Sequence, residues 1–215
     1  TGLHERYTAA PWRQALGSTM HCVAGDGVGI LAGAVLASVS GIAGMAEVAL
    51  EYILGFAFGW TIFQALFMRD MAGGSYFDSL KSTFLPELLS MNLLMAGMIP
   101  TVMTLRRHVP AADDPTTPNF WFVMSIGLLA GFVIAYPMNW WLVANKLKHG
   151  MMTVRPARAG AGAQHGAGHE RMAAMPHMSM SMETAPPLRP SLTVMTVLSF
   201  IALAAGMAIG RLPIS

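Results

Sequence analysis

His21, Cys22 and Asp26 stand together in the apolar stretch Gly17-Ser-Thr-Met-His-Cys-Val-Ala-Gly-Asp-Gly-Val-Gly-Ile-Leu-Ala-Gly33. Thiolate is a soft ligand and imidazole suits copper, so the first two residues could hold a copper ion. A carboxylate beside them adds the negative charge that a bound cation needs. An ionisable group at the centre of a membrane helix costs about 2.5–3.5 kcal/mol by insertion measurements, so it normally turns to a protein interior or a wet cavity. Gly17, His21, Gly25, Gly29 and Gly33 recur every four residues and form one helical ridge. Ser18, Cys22, Asp26 and Gly29 form the ridge beside it. Small residues at this spacing let neighbouring helices approach closely. The stretch therefore reads as the central helix of a membrane bundle, with its polar groups inward.

A second candidate set lies in Pro86-Glu-Leu-Leu-Ser-Met-Asn-Leu-Leu-Met-Ala-Gly-Met98. Glu87, Met91, Met95 and Met98 follow i, i+4, i+8 and i+11, a single helical stripe. Thioethers favour Cu(I), and a ladder of weak sites lets an ion move without being trapped. A third set is His165, His169, Met172, Met175, His177, Met178, Met180 and Met182, in a stretch rich in Gly, Ala and Pro. Short His-rich tracts suggest metal binding, and the admixed Met points to copper rather than zinc. Plainer roles are open for each set. Met is a common gap-filler, Cys a small buried apolar residue, His21 a hydrogen-bond partner for Glu87 or Asn139, and the third stretch a low-complexity tether. Glu47 and Glu51, placed near the outer interface, read as solvated groups.

The elements that must carry these residues follow from composition. The chain has 215 residues, of which 54% are hydrophobic and 11% charged; a soluble domain carries about 25% charged residues. Its apolar runs reach about 20 residues, enough to cross roughly 30 Å of hydrocarbon. One cysteine excludes an internal disulfide framework. The fold class is an all-α membrane protein, a bundle of five transmembrane helices made of a four-helix core and a C-terminal helix. The spans are expected at 12–40, 45–68, 77–105, 119–147 and 191–210. Residues 1–148 form the core, 149–190 a flexible His/Met-rich linker and 191–215 the fifth span. The polar first residues lack the apolar region of a secretory signal, and the first run is too long to be one, so it is expected to remain as a helix.

Five spans place the termini on opposite sides. Arg6, Arg13, Arg69, Lys81, Lys146, Lys148, Arg155, Arg158, Arg171 and Arg189 then fall on one side, against Arg106, Arg107 and Arg211 on the other. Under the positive-inside rule the N-terminus and the linker are cytoplasmic and the C-terminus is outside. At 1.5 Å per residue, His21, Cys22, Gln64, Glu87 and Asn139 share a layer in the inner half. Asp26 and Asn92 lie nearer the midplane. The fifth span has no ionisable group before its end and is expected at the edge of the bundle.

The chain resembles a bacterial integral-membrane family, domain-of-unknown-function family 4396. The resemblance covers spans one to four. Ala15-Leu-Gly-Ser-Thr-Met-His-Cys-Val-Ala-Gly-Asp26, Phe84-Leu-Pro-Glu-Leu-Leu-Ser-Met-Asn92 and Gly131-Phe-Val-Ile-Ala-Tyr-Pro-Met-Asn-Trp-Trp-Leu142 carry it, the third most specifically. The resemblance implies a four-span core to which the linker and fifth span are additions, a bacterial inner-membrane location, and the company of copper-handling proteins. It implies no activity.

The residues together favour a copper-handling protein that is not an enzyme, with Cu(I) as the expected metal. His21, Cys22, Asp26 and Glu87 would form the intramembrane site, Met91, Met95 and Met98 the path outward, and His165, His169, His177, Met178 and Met180 the capture segment. The alternative is a non-catalytic accessory subunit of a larger membrane complex. Expected partners are the lipid bilayer and other membrane subunits or copper-handling proteins. Without a nucleotide-binding motif, neither a nucleotide nor a nucleic acid is expected. An enzyme using Cys22 with His21 ranks last, because adjacent helical residues point about 100° apart.

Overall fold

The computed structural model describes residues 10–64, 76–148 and 190–212. These form five helices: α1 Pro11–Ser40, α2 Met45–Phe58, α3 Tyr76–His108, α4 Pro118–Ala144 and α5 Leu192–Arg211. A π-helical segment, Gly59–Gln64, prolongs α2, so the second span runs over Met45–Phe63. All five spans are long and apolar enough to cross a membrane, and the described residues contain no strand. The fold is the expected all-helical one, and the chain is a multi-pass membrane protein whose apolar outer faces suit contact with lipid.

Local chemistry sets the helix ends. Proline stands at the start of α1 and of α4, where a missing N–H costs nothing. Thr117 Oγ1 accepts from Phe120 N–H and Ser191 Oγ from Val194 N–H, capping α4 and α5. Gly41 closes α1 at φ +67°, a left-handed position that glycine adopts without strain, and Gly44 repeats it before α2. The four-residue connection 41–44 forces α1 and α2 into an antiparallel hairpin.

The glycine ridge of α1 does what its spacing predicts. Gly29 packs against the Leu54 backbone, Gly33 against the Glu51 backbone and Gly25 against the Phe63 ring, leaving no room for a side chain. Gly97 and Gly131 similarly bring α3 and α4 together, and Gly206 seats α5 on Ala96 of α3. The main apolar core includes Ile30, Leu94, Met95, Met98, Phe120 and Met124. The fifth helix lies against α3 with most of its residues outward, as its composition implied.

The fourth helix ends earlier than its apolar run suggested. It stops at Ala144, and Lys146 takes a left-handed φ of 57°. Leu147 N–H then donates to Leu142 O at 2.9 Å and Lys146 N–H to Val143 O at 3.1 Å. These two bonds form a Schellman turn, completed by Leu147 packing on the cluster that contains Leu142. The turn reverses the chain, so Lys148 points back into the bundle. Reading Lys148 as a charge in the inner loop is therefore corrected: the residue is buried.

At the other end of the bundle, Arg106 pairs with Glu47 at 2.6 Å and with Asp113 at 3.1 Å. Ser38 Oγ donates to Asp113 O at 3.0 Å, tying the last turn of α1 to the α3–α4 connection. Glu47 is thus ion-paired and Glu51 is buried, so neither is the freely solvated group that its position suggested.

Candidate functional site

Four helices depart from regularity or carry polar groups at one level. The second helix widens into its π-helical segment at Gly59, and such segments are frequent at functional sites. Pro86 interrupts α3 one residue before Glu87, and Pro137 interrupts α4 two residues before Asn139. A proline inside a helix removes one backbone bond and bends the axis. Cys22 of α1 faces this level, with no exposed surface.

Lys148 unites the level. Its Nζ donates to Cys22 Sγ at 2.6 Å, to Asn139 Oδ1 at 3.0 Å and to Glu87 Oε2 at 3.2 Å. The lysine side chain is 4% exposed and that of Glu87 is fully buried. Cys22 Sγ also donates to Glu87 Oε2, at 3.4 Å. Asn139 Nδ2 donates to Ser90 Oγ at 2.8 Å and to Ala135 O at 3.1 Å, which fixes the amide for its contact with the lysine.

Asp26 adjoins this group one helical turn above Cys22. A Cβ placed on Gly59 would run into Asp26 Oδ1 and come within 2.9 Å of Glu87 Oε1. Both carboxyls therefore abut the first residue of the π-helical segment, and only glycine leaves them room. They also lie close enough to feel each other's charge. Asp26 Oδ1, Asp26 Oδ2 and Glu87 Oε1 are buried, and no other described residue hydrogen-bonds them, which leaves the two carboxyls to each other. Buried acceptors are normally satisfied, so the site has more acceptor capacity than the lysine ammonium uses.

His21 lies beside this group rather than shown within it. Its Nε2 is 3.3 Å from Phe63 O, and its ring tilts against the Phe63 ring. This contact is with a backbone carbonyl, whereas the plainer role considered a hydrogen bond to the Glu87 or Asn139 side chain. Met91, Met95 and Met98 are fully or almost fully buried and belong to the apolar core. Above the carboxyls, Tyr52 Oη donates to Asn92 Oδ1 at 2.6 Å and Asn92 Nδ2 to Ser199 Oγ at 3.1 Å, linking α2, α3 and α5. His165, His169, His177, Met178 and Met180 lie outside the described residues, as does the side chain of Gln64.

Cys22, Glu87 and Asn139 thus share a layer, as their depths predicted, and Asp26 joins from the next turn. Lys148 and Gly59 were not legible as site residues. A lysine just after an apolar run looks like an interface marker, and the turn that redirects it carries no glycine. Among the described residues, no three His, Cys, Asp or Glu side chains form a ready-made metal site. The arrangement is a buried ion pair with surplus acceptors around a thiol. It can hold one positive charge, now supplied by lysine.

No curated protein and no solved structure matches the chain significantly. A family model described as a domain of unknown function, DUF4396, matches residues 11–148. That match takes in all four core helices and ends on the lysine that closes the site. It spans well over half of the sequence, and the chain belongs to the DUF4396 family.

Proposed function

We propose that this protein handles Cu(I), carrying the ion through the membrane or transferring it within it. One observation carries the reading: a thiol, two carboxyls and an amide converge inside the bundle and already hold a cationic group. Ionisable groups are retained at such depth chiefly where ions or protons pass. The sulfur donor selects for a soft ion, and His21 supplies an imidazole one residue away. Asp26 and Glu87 contribute charge. Met91 stands one turn beyond Glu87, and Met95 and Met98 continue outward. Under this reading the chain catalyses no covalent reaction. It sits in the bacterial inner membrane, with the His/Met linker as a cytoplasmic capture segment and the C-terminus outside.

The test is Cu(I) binding by purified protein, with and without residues 160–185. Binding that survives this deletion but fails in Glu87→Gln or His21→Ala supports a site in the bundle. Binding lost entirely with the linker reduces the bundle to a scaffold. No binding by either form sinks the copper reading.

A second reading, a non-catalytic accessory subunit of a membrane complex, has its own support. The three methionines pack as ordinary core residues, and Lys148 neutralises Glu87 without any added ion. Replacing Met91, Met95 and Met98 by Leu separates the two. Copper transfer falls if the stripe is a path and is unchanged if it is only core.

A further inference from the structure

Lys148 occupies the position that a cargo cation needs. Its Nζ is surrounded by a sulfur, a carboxylate oxygen and an amide oxygen, at 2.6, 3.2 and 3.0 Å. These come from α1, α3 and α4, so the ammonium holds three helices as a bound ion would. Three carboxyl oxygens of Asp26 and Glu87 beside it are hydrogen-bonded by no other described residue, the two carboxyls being left to each other. An ion in the same place would find oxygens that the ammonium does not use. The holding turn is itself strained, because Lys146 adopts a left-handed φ of 57° without being glycine. Lysine is a compact charge on a flexible four-carbon stem, which can withdraw while its backbone moves little.

We propose that Lys148 is the resident cation of the Cys22–Glu87–Asn139 site and that cargo enters only by displacing it. The inference rests on the cation-handling reading and adds what occupies the site between ions. The ammonium gives the buried Glu87 carboxylate a counter-charge, and an arriving ion takes over that role as the lysine withdraws. The Cys22 sulfur favours a soft ion such as Ag(I) or Cu(I).

Cys22 is the chain's single cysteine and is fully buried, so its reactivity reports on the site directly. The experiment uses the full chain in detergent, with silver ion alone as the probe and N-ethylmaleimide reporting on Cys22. Removing the competing ammonium in Lys148→Leu, which brings no ligand of its own, should tighten silver binding by at least about tenfold, equivalent to about 1.4 kcal/mol. Silver should protect Cys22 from alkylation in both proteins. Lys148→Arg keeps the charge and should not tighten silver binding. Lys148→Gln removes the charge but keeps a polar head, should tighten it as Leu does, and decides the matter if Lys148→Leu does not fold. Silver affinity unchanged in the uncharged variants, or tightened as much in Lys148→Arg, would overturn the proposal. If silver binds all forms equally but fails in Cys22→Ser, the displacement idea falls while the cation site stands. If no form binds silver or Cu(I), both readings fall.

Discussion

Among single residues, Asn139 is one of the three acceptors that hold the lysine, and the only neutral amide among them. It donates to Ser90 Oγ and accepts from Lys148 Nζ, so its amide orientation depends on both neighbours. Hydrogen bonds between membrane helices contribute about 0.6 kcal/mol on average. Ser90→Ala should cost about that much in unfolding free energy in detergent. Asn139→Ala should cost more, because it also deprives the buried ammonium of an acceptor. Adding Ser90→Ala to Asn139→Ala should cost nothing further, since the shared bond is already gone. Full additivity in this double-mutant cycle would show that the two side chains act separately.

At the scale of helices, the polar site exists because α1 can touch its neighbours. Gly29 and Gly33 lie on the α2 backbone, and this contact holds Asp26 against Gly59 in the widened segment. A methyl group on Gly29 would sit far inside contact distance of Leu54 O, whereas one on Gly27 would meet the Leu128 side chain at 3.4 Å, an ordinary contact. Gly29→Ala should therefore destabilise the bundle by about 1–3 kcal/mol, the usual cost of overpacking. Gly27→Ala should lie within about 0.5 kcal/mol of the unmodified chain. Thermal or denaturant unfolding in detergent compares the two. Equal losses would mean that the ridge serves general helix packing and not the α1–α2 contact.

At the scale of the whole molecule, two charged layers face opposite ends of the bundle. Cys22 in the lysine layer and Ser38 beside Asp113 are sixteen residues apart on α1, which is about 24 Å along the helix. The Arg106 pairs lie with Ser38, so the two connections 41–44 and 109–117 share one side. A Cys22→Ser background makes this testable with an impermeant thiol reagent on intact cells. Ala43→Cys and Ala111→Cys should label together from outside, and Asn145→Cys should label only after the membrane is opened. Labelling of Asn145→Cys from outside with the other two protected would invert the proposed orientation. Labelling of Ala43→Cys and Ala111→Cys from opposite sides would break the five-span topology itself.

The five helices, their order and the inward turn of Cys22, Asp26 and Glu87 could be read from the residues alone. Apolar length sets what crosses a membrane, and the cost of a charge in hydrocarbon sets which way a polar residue faces. Spacing also foretold the glycine ridge, because a four-residue repeat lies on one face whatever surrounds it. It could not show which polar groups meet, since that depends on helix rotation and on the packing of residues far apart in the chain. Burial of Glu51 and the Arg106–Glu47 pair arose only from that packing. The clearest case is Lys148. Its place in the site depends on an early end to α4 and a left-handed Lys146, a conformation that its residue type disfavours. Only the tertiary structure, with acceptors waiting on three helices, makes that turn worthwhile.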